Sequence, residues 1–218
     1  MFSTLDHIIF PDSCEVIEIV PSQLYVFPIF KNGSTSLYES MPDKPWKIIT
    51  NNDIANIKQP ITVYLRDARG RFVSGVNTYL RRLEVENPGL DEHTMLWCVD
   101  RYLFLNRHYC PQFFWLMNLV RYAGKDVKLK FEPMSNISNL TNIRSGPRII
   151  APNEELLEKL KQFNYQQLEL YFYLDQLLID SIGQTLTWQE LIDIIKQTYP
   201  ELYTLIFKKA QDLVNILS

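Results

Sequence analysis

Two segments of the sequence each join a short apolar run to a helical pattern, and this repeated arrangement constrains the fold most strongly. Leu24 to Phe30 (LYVFPIF) has the length and composition of a buried strand, with Pro28 near its end. Ile61 to Leu65 (ITVYL) is β-branched and apolar, and after Asp67, which can cap a helix, apolar residues recur at helical spacing. Strands that each feed a helix predict a parallel sheet covered by helices.

The rest of the chain agrees with an α/β fold. Val127 to Phe131 (VKLKF) alternates apolar and basic residues, which predicts a strand with one solvated face. Residues 133–152 are rich in Ser, Asn and Pro and are predicted to form a long loop. The last third has helical spacing throughout, and Thr187 to Glu190 form a capping-box pattern that opens one of its helices.

Composition excludes several classes of function. A net charge of −3 over 218 residues gives no general attraction to nucleic acid or to an anionic membrane. The sequence has no run of about eighteen apolar residues, which a membrane span would need. It also has no basic start followed by an apolar run, which would indicate secretion. Three irregularly spaced cysteines form neither a disulfide framework nor a zinc pattern: Cys14, Cys98 and Cys110. We therefore expect a cytoplasmic protein.

Six residues after the first predicted strand could hold an anion together: Lys31, Asn32, Gly33, Ser34, Thr35 and Ser36. Backbone N–H groups at a helix start, three hydroxyls and an ammonium group are the donors that a phosphate-like anion needs. Gly33 allows the backbone to approach the anion closely. The alternative is that Ser34 or Thr35 only caps a helix and Lys31 is solvated.

A second phosphate-binding pattern follows the second predicted strand. Arg66 offers a planar fork of donors at the carboxyl end of the strand, where ligands of open α/β sheets bind. Ser74 adds a neutral donor two turns into the next helix. The alternative is a solvated helix start, in which Arg69 and Arg71 are ordinary surface charges.

Together these segments resemble sulfotransferases that use 3′-phosphoadenosine 5′-phosphosulfate (PAPS). FKNGSTS is similar to their 5′-phosphosulfate loop, and LRDARGRFVS is similar to their 3′-phosphate motif, although Ala68 stands where the family commonly has proline. His108 to Gln112 (HYCPQ) and the later Phe131-Glu132 pair are similar to motifs of Golgi-type carbohydrate sulfotransferases. Those enzymes carry a membrane anchor that we do not expect in this chain.

The resemblance implies a sulfotransferase-like P-loop fold, with a PAPS-binding core over residues 1–152 and a helical segment over 153–218 packed on it in a single domain. It implies that Lys31 to Ser36 hold the 5′-phosphosulfate and that Arg66 and Ser74 hold the 3′-phosphate. The expected reaction moves a sulfuryl group from PAPS to a hydroxyl of a small-molecule or carbohydrate acceptor, without a metal.

His108 is the best histidine candidate for the general base that removes the proton of the acceptor hydroxyl. A packing role beside Tyr109 is the alternative for this residue. Glu39, Asp43 and Glu132 are carboxylate alternatives for the base.

Two other functions stay open at this point. A metal-dependent nucleotide phosphotransferase or hydrolase would place Lys31 on a β-phosphate and Asp67 on magnesium. A non-catalytic nucleotide-binding protein would keep the phosphate contacts and lack the base. A requirement for a divalent metal separates the first alternative from sulfuryl transfer, and turnover separates the second.

Overall fold

The structure, a computed structural model, describes residues 14–29, 32, 45–137 and 153–217, and within them six strands form one mixed sheet. The strands are β1 (Glu15–Ile19), β2 (Leu24–Phe27), β3 (Trp46–Thr50), β4 (Ile61–Leu65), β5 (Lys128–Pro133) and β6 (Thr185–Thr187). Their order across the sheet is β3-β1-β2-β4-β5-β6.

The three central strands, β2, β4 and β5, run parallel to one another. Phe27 pairs with Val63, and Leu65 pairs with Pro133, so the three strands end at the same side of the sheet. We call this side the carboxyl edge. The outer strands pair antiparallel: β1 with β2 and β3, and β6 with β5.

Six α-helices lie within the described residues: α1 (Ala68–Glu86), α2 (Glu92–Arg101), α3 (Gln112–Ala123), α4 (Asn153–Ile179), α5 (Trp188–Thr198) and α6 (Pro200–Leu217). Helix α1 begins where the carboxylate of Asp67 accepts a hydrogen bond from the N–H of Gly70. Helix α5 begins with a complete capping box between Thr187 and Glu190. Both caps agree with the sequence prediction.

The core lies between the helices and one face of the sheet. Ile61, Val63 and Leu65 alternate on that face of β4 and are at most 2% exposed. Phe72 of α1 and Leu116 of α3 belong to the same buried cluster. The opposite face carries a smaller cluster of Ile17, Val26 and Ile137. Helix α4 contacts α1, α2 and α3, so the last third of the chain packs directly on the helical layer.

The α/β class is confirmed, but the prediction of a parallel sheet holds only for the three central strands. The sequence prediction did not include strands β1, β3 and β6, and β6 shows that the last third of the chain is not wholly helical. Every residue of β3 is at least partly exposed, so this edge strand has no buried face to produce an apolar alternation. Strand β6 has only three residues, which is too short for a sequence pattern.

Gly75 sets the distance between α1 and the segment that precedes α3. A Cβ atom at this position would overlap the carbonyl oxygen and carbon of His108, which are backbone atoms and have little room to shift. The absence of a side chain therefore lets the chain around His108 pack against the middle of α1.

We expect Gly75→Ala to lower the free energy of unfolding by about 1–3 kcal/mol, because the overlap forces two packed backbones apart. Thermal unfolding followed by circular dichroism measures this. Arg82→Ala, at an exposed position of the same helix, is the control and should change stability by less than about 0.5 kcal/mol. A Gly75→Ala protein as stable as the control would show that the contact is not tight.

Candidate functional site

At the carboxyl edge, Asn32 of the first predicted phosphate-binding segment contacts the strand that leads into the second segment. Asn32 follows β2, and its side-chain Nδ2 donates a hydrogen bond to the carbonyl oxygen of Tyr64 over 2.8 Å. Tyr64 lies near the end of β4, two residues before Arg66. The side chain of Asn32 is thus turned into the protein, where it is 3% exposed. Lys31 and residues 33–36 lie outside the described residues.

Arg66 directly follows β4 and is partly sheltered from solvent. Its side chain is 28% exposed, and its Nε lies 3.9 Å from Oδ2 of Asp67. Burial lowers the pKa of Arg66, and the negative charge of Asp67 partly opposes this. The guanidinium still carries its charge at neutral pH, because its unperturbed pKa lies far above that range. A sheltered cation at this edge of the sheet suits an anionic ligand.

A cavity of about 570 Å³ opens beside Arg66 at the ends of β4 and β5. One wall comes from the start of α1, another from the turn after β5, and a third from α4 and the turn that follows it. The lining residues are Leu65, Arg66, Asp67, Ala68, Arg69, Pro133, Met134, Ser135, Phe172, Gln176, Ile179 and Ile182. The cavity therefore combines an apolar wall with the guanidinium groups of Arg66 and Arg69 and the carboxylate of Asp67, and its volume is in the range of small-molecule sites.

Gln112, the first residue of α3, forms hydrogen bonds to both Asn32 and Arg66. Its Oε1 accepts hydrogen bonds from Nδ2 of Asn32 and, over 3.1 Å, from the backbone N–H of Arg66. Its Nε2 donates to the carbonyl oxygen of Arg66 and to Oδ2 of Asp175, each over 3.0 Å. Gln112 is fully buried, so the protein supplies all of these partners.

Asp175 of α4 supplies the cap that α3 lacks. Pro111 precedes α3 and makes no side-chain cap, but the carboxylate of Asp175 accepts hydrogen bonds from the backbone N–H groups of Gln112 and Phe113. A negative charge is favourable at this end of a helix. Helix α4 thereby fixes the start of α3, and with it the position of Gln112.

Arg71 completes the buried polar cluster. Its Nη1 donates hydrogen bonds to the carbonyl oxygen of Cys110 and, over 3.1 Å, to the hydroxyl of Tyr171. Burial raises the pKa of Asp175 to about 6, while the positive charge of Arg71 and the hydrogen bonds from Gln112 lower it. At neutral pH the cluster therefore contains an ionised Asp175 facing a charged Arg71.

The other predicted site residues are not gathered in the cavity. Ser74 lies partly exposed on α1, and within the described residues neither it nor His108 lines the cavity. His108 is 5% exposed and its backbone N–H donates to Oδ1 of Asn106. Lys130 lies 2.8 Å from Glu132, and hydrogen bonds from Lys130 and Asn136 lower the pKa of that carboxyl.

Sequence reasoning missed the buried charges. Arg71 was an ordinary surface charge in the alternative interpretation of the basic helix start, but it is fully buried. Helical spacing was the available signal, because Arg71 stands three residues after Ala68 and four before Gly75, on the buried face of α1. Asp175 likewise follows Leu174 and lies four residues after Tyr171 on the apolar face of α4.

The described residues hold no group of three or more His, Cys, Asp or Glu side chains arranged to bind a metal ion. Their helices include none with the length and hydrophobicity needed to cross a membrane. Glu39 and Asp43 lie outside them.

Comparison with protein-family models, with curated proteins and with solved structures finds no match to this chain. Any statement about its family therefore depends on its own residues and their arrangement.

Burial of Asp175 should make stability depend on pH. A pKa raised from 3.8 to about 6 favours folding below pH 4, and this contribution is lost as pH rises through 6. The difference in unfolding free energy between the wild type and Asp175→Asn should therefore change by about 2 kcal/mol between pH 4 and pH 7, with the wild type losing the more. Urea unfolding across this range measures it, and parallel pH profiles would contradict the assignment.

Proposed function

We propose that the protein is a PAPS-dependent sulfotransferase, with the donor bound across the carboxyl edge of the sheet. The observation that carries the proposal is the contact between Asn32 and the end of β4 that precedes Arg66. Asn32 belongs to the FKNGSTS segment and Tyr64 directly precedes the LRDARGRFVS segment, and each segment resembles one of the phosphate-binding motifs of the family. A donor with a 5′-phosphosulfate and a 3′-phosphate needs two such sites on neighbouring strands.

The cavity beside Arg66 supports a nucleoside at this position. A 3′-phosphate contacting Arg66 would leave the rest of the adenosine near the apolar wall formed by Phe172, Ile179 and Ile182. Purines pack well against such side chains. The 5′ end of the donor would then point towards the loop after β2.

Two residues are proposed to act on the reacting atoms. Lys31 would stabilise the negative charge that develops on the oxygen bridging sulfur and the 5′-phosphate as the bond between that oxygen and sulfur breaks. His108 would accept the proton of the acceptor hydroxyl, whose oxygen forms the new bond to sulfur. A carbohydrate hydroxyl is the proposed acceptor, because the HYCPQ motif resembles that of carbohydrate sulfotransferases.

Nucleotide binding tests the proposal. The product nucleotide 3′-phosphoadenosine 5′-phosphate (PAP) should bind more tightly than AMP, because Arg66, the proposed ligand of the 3′-phosphate, faces a phosphate that AMP lacks. Arg66→Ala should weaken PAP by about ten-fold or more, the usual effect of a lost charge-assisted hydrogen bond, and leave AMP nearly unchanged. Isothermal titration calorimetry measures both.

Arg82→Ala removes an exposed arginine from helix α1 and should change neither affinity. Equal affinities of the wild type for PAP and AMP would contradict the proposed 3′-phosphate site. Tighter binding of magnesium-ATP than of PAP would favour a phosphotransferase instead.

Lys31→Ala and His108→Gln test the two proposed chemical roles. Both should keep most of the affinity for PAP while the rate of sulfuryl transfer falls, by about 10²–10⁴-fold for His108→Gln. Single-turnover rates with PAPS and a competent acceptor, measured beside PAP affinities, give the comparison. A proportional loss of affinity and rate would make Lys31 a binding residue only, and wild-type turnover in His108→Gln would exclude it as the base.

A further inference from the structure

One buried side chain holds Asn32 and Arg66 at a fixed separation. Gln112 accepts from the Asn32 side chain on one side and makes a two-point contact with the backbone of Arg66 on the other. The backbone N–H of Arg66 donates to Gln112, and the carbonyl oxygen of Arg66 accepts from it. The Gln112 amide therefore pairs with Arg66 as a residue of a neighbouring strand would. Arg66 lies just beyond the end of β4, where the sheet leaves these groups for Gln112 to pair.

From this arrangement we propose that Gln112 is a positioning residue, which fixes Asn32 and Arg66 relative to one another and thereby sets the geometry of the proposed donor site. The inference rests on the proposed function, since it assumes a ligand with phosphate groups at both ends. Gln112 itself is fully buried and would not touch the ligand. Its effect would reach the ligand through Asn32 on one side and Arg66 on the other.

The direction of the Gln112 amide is essential to this role, and Asp175 fixes it. With Oε1 towards two donors and Nε2 towards two acceptors, every hydrogen bond is matched. The reversed amide would place its oxygen against the Asp175 carboxylate and against the carbonyl of Arg66. A buried network of this kind specifies one geometry because each mismatched contact is costly.

The cluster also gives α4 a second role at the site, besides forming one wall of the cavity. Asp175 caps α3 and orients Gln112, while Tyr171, one turn earlier on α4, contacts Arg71 of α1. Helix α4 thus holds the starts of both helices that border the two segments. The last third of the chain would in this way maintain the geometry of the donor site.

Gln112→Glu tests the role with almost no change in side-chain volume. The introduced carboxylate keeps an acceptor for Asn32 and for the Arg66 N–H, but it repels the Arg66 carbonyl and Asp175. We expect the affinity for PAP to fall about ten-fold or more while the affinity for AMP, which lacks the 3′-phosphate, changes much less. Calorimetry gives the ratio of the two affinities, and this ratio is the readout.

The double variant Gln112→Glu with Asp175→Asn separates positioning from stability. The introduced amide at position 175 can donate to the introduced carboxylate. The buried negative charge is thus moved from position 175 to position 112, and the number of charges is unchanged. The repulsion at the Arg66 carbonyl stays. We therefore expect the melting temperature to recover most of its loss and the PAP-to-AMP affinity ratio to stay several-fold below the wild-type value.

Ile195→Val is the control for loss of stability alone, because Ile195 is buried in α5, away from the cluster. It should lower the melting temperature and leave the affinity ratio unchanged.

A wild-type ratio in the folded Gln112→Glu protein overturns the inference and leaves the proposed function standing. If Gln112→Glu does not fold, a wild-type ratio in the double variant overturns it equally. A wild type that binds PAP no better than AMP overturns the proposed function, and the inference with it.

Discussion

The candidate site depends on the pairing of buried polar groups around Gln112. The parallel strands β2 and β4 bring two loops to one edge of the sheet, but strand pairing ends before Asn32 and Arg66 are reached. Beyond that point the hydrogen bonds of Gln112 link Asn32 to Arg66. Leaving any of these buried groups without a partner would cost about 1–3 kcal/mol, so the geometry at the edge is strongly specified.

Asp175 and Arg71 extend this constraint to the helical layer. Two buried opposite charges are expensive to desolvate, and hydrogen bonds offset part of that cost. Here the start of α3 donates hydrogen bonds to Asp175, and Nη1 of Arg71 donates to Cys110 and Tyr171. The Nε and Nη2 atoms of Arg71 have no hydrogen-bond partner among the described residues. The same cluster that holds α1, α3 and α4 together therefore also borders the candidate site.

Much of this arrangement could be predicted from the sequence. The apolar runs that became β2, β4 and β5, and the caps at Asp67 and Thr187, are local features with a direct physical cause. The meeting of the Asn32 and Arg66 segments follows from them, because parallel strands end at a common edge. The prediction that these segments bind a donor nucleotide stays a prediction.

The buried cluster could not be predicted in the same way. Arg71 and Asp175 look like solvated charges to any argument based on composition, and their pairing joins residues far apart in the chain. Helical spacing could have placed each on a buried face, but it could not have shown that the two faces meet. Edge strand β3 was missed for the opposite reason, because its exposed side chains carry no pattern of burial.

Transfer of the sulfuryl group from PAPS to an acceptor is the most direct test of the proposed sulfotransferase activity. The protein is incubated with PAPS labelled in its sulfuryl group, a panel of sugars and phenols, and EDTA to remove divalent metals. The account predicts that label appears on an acceptor hydroxyl, with PAP formed in equal amount and with no loss of rate in EDTA. A protein that binds PAP and transfers label to no acceptor, or that instead transfers phosphate from magnesium-ATP, would contradict it.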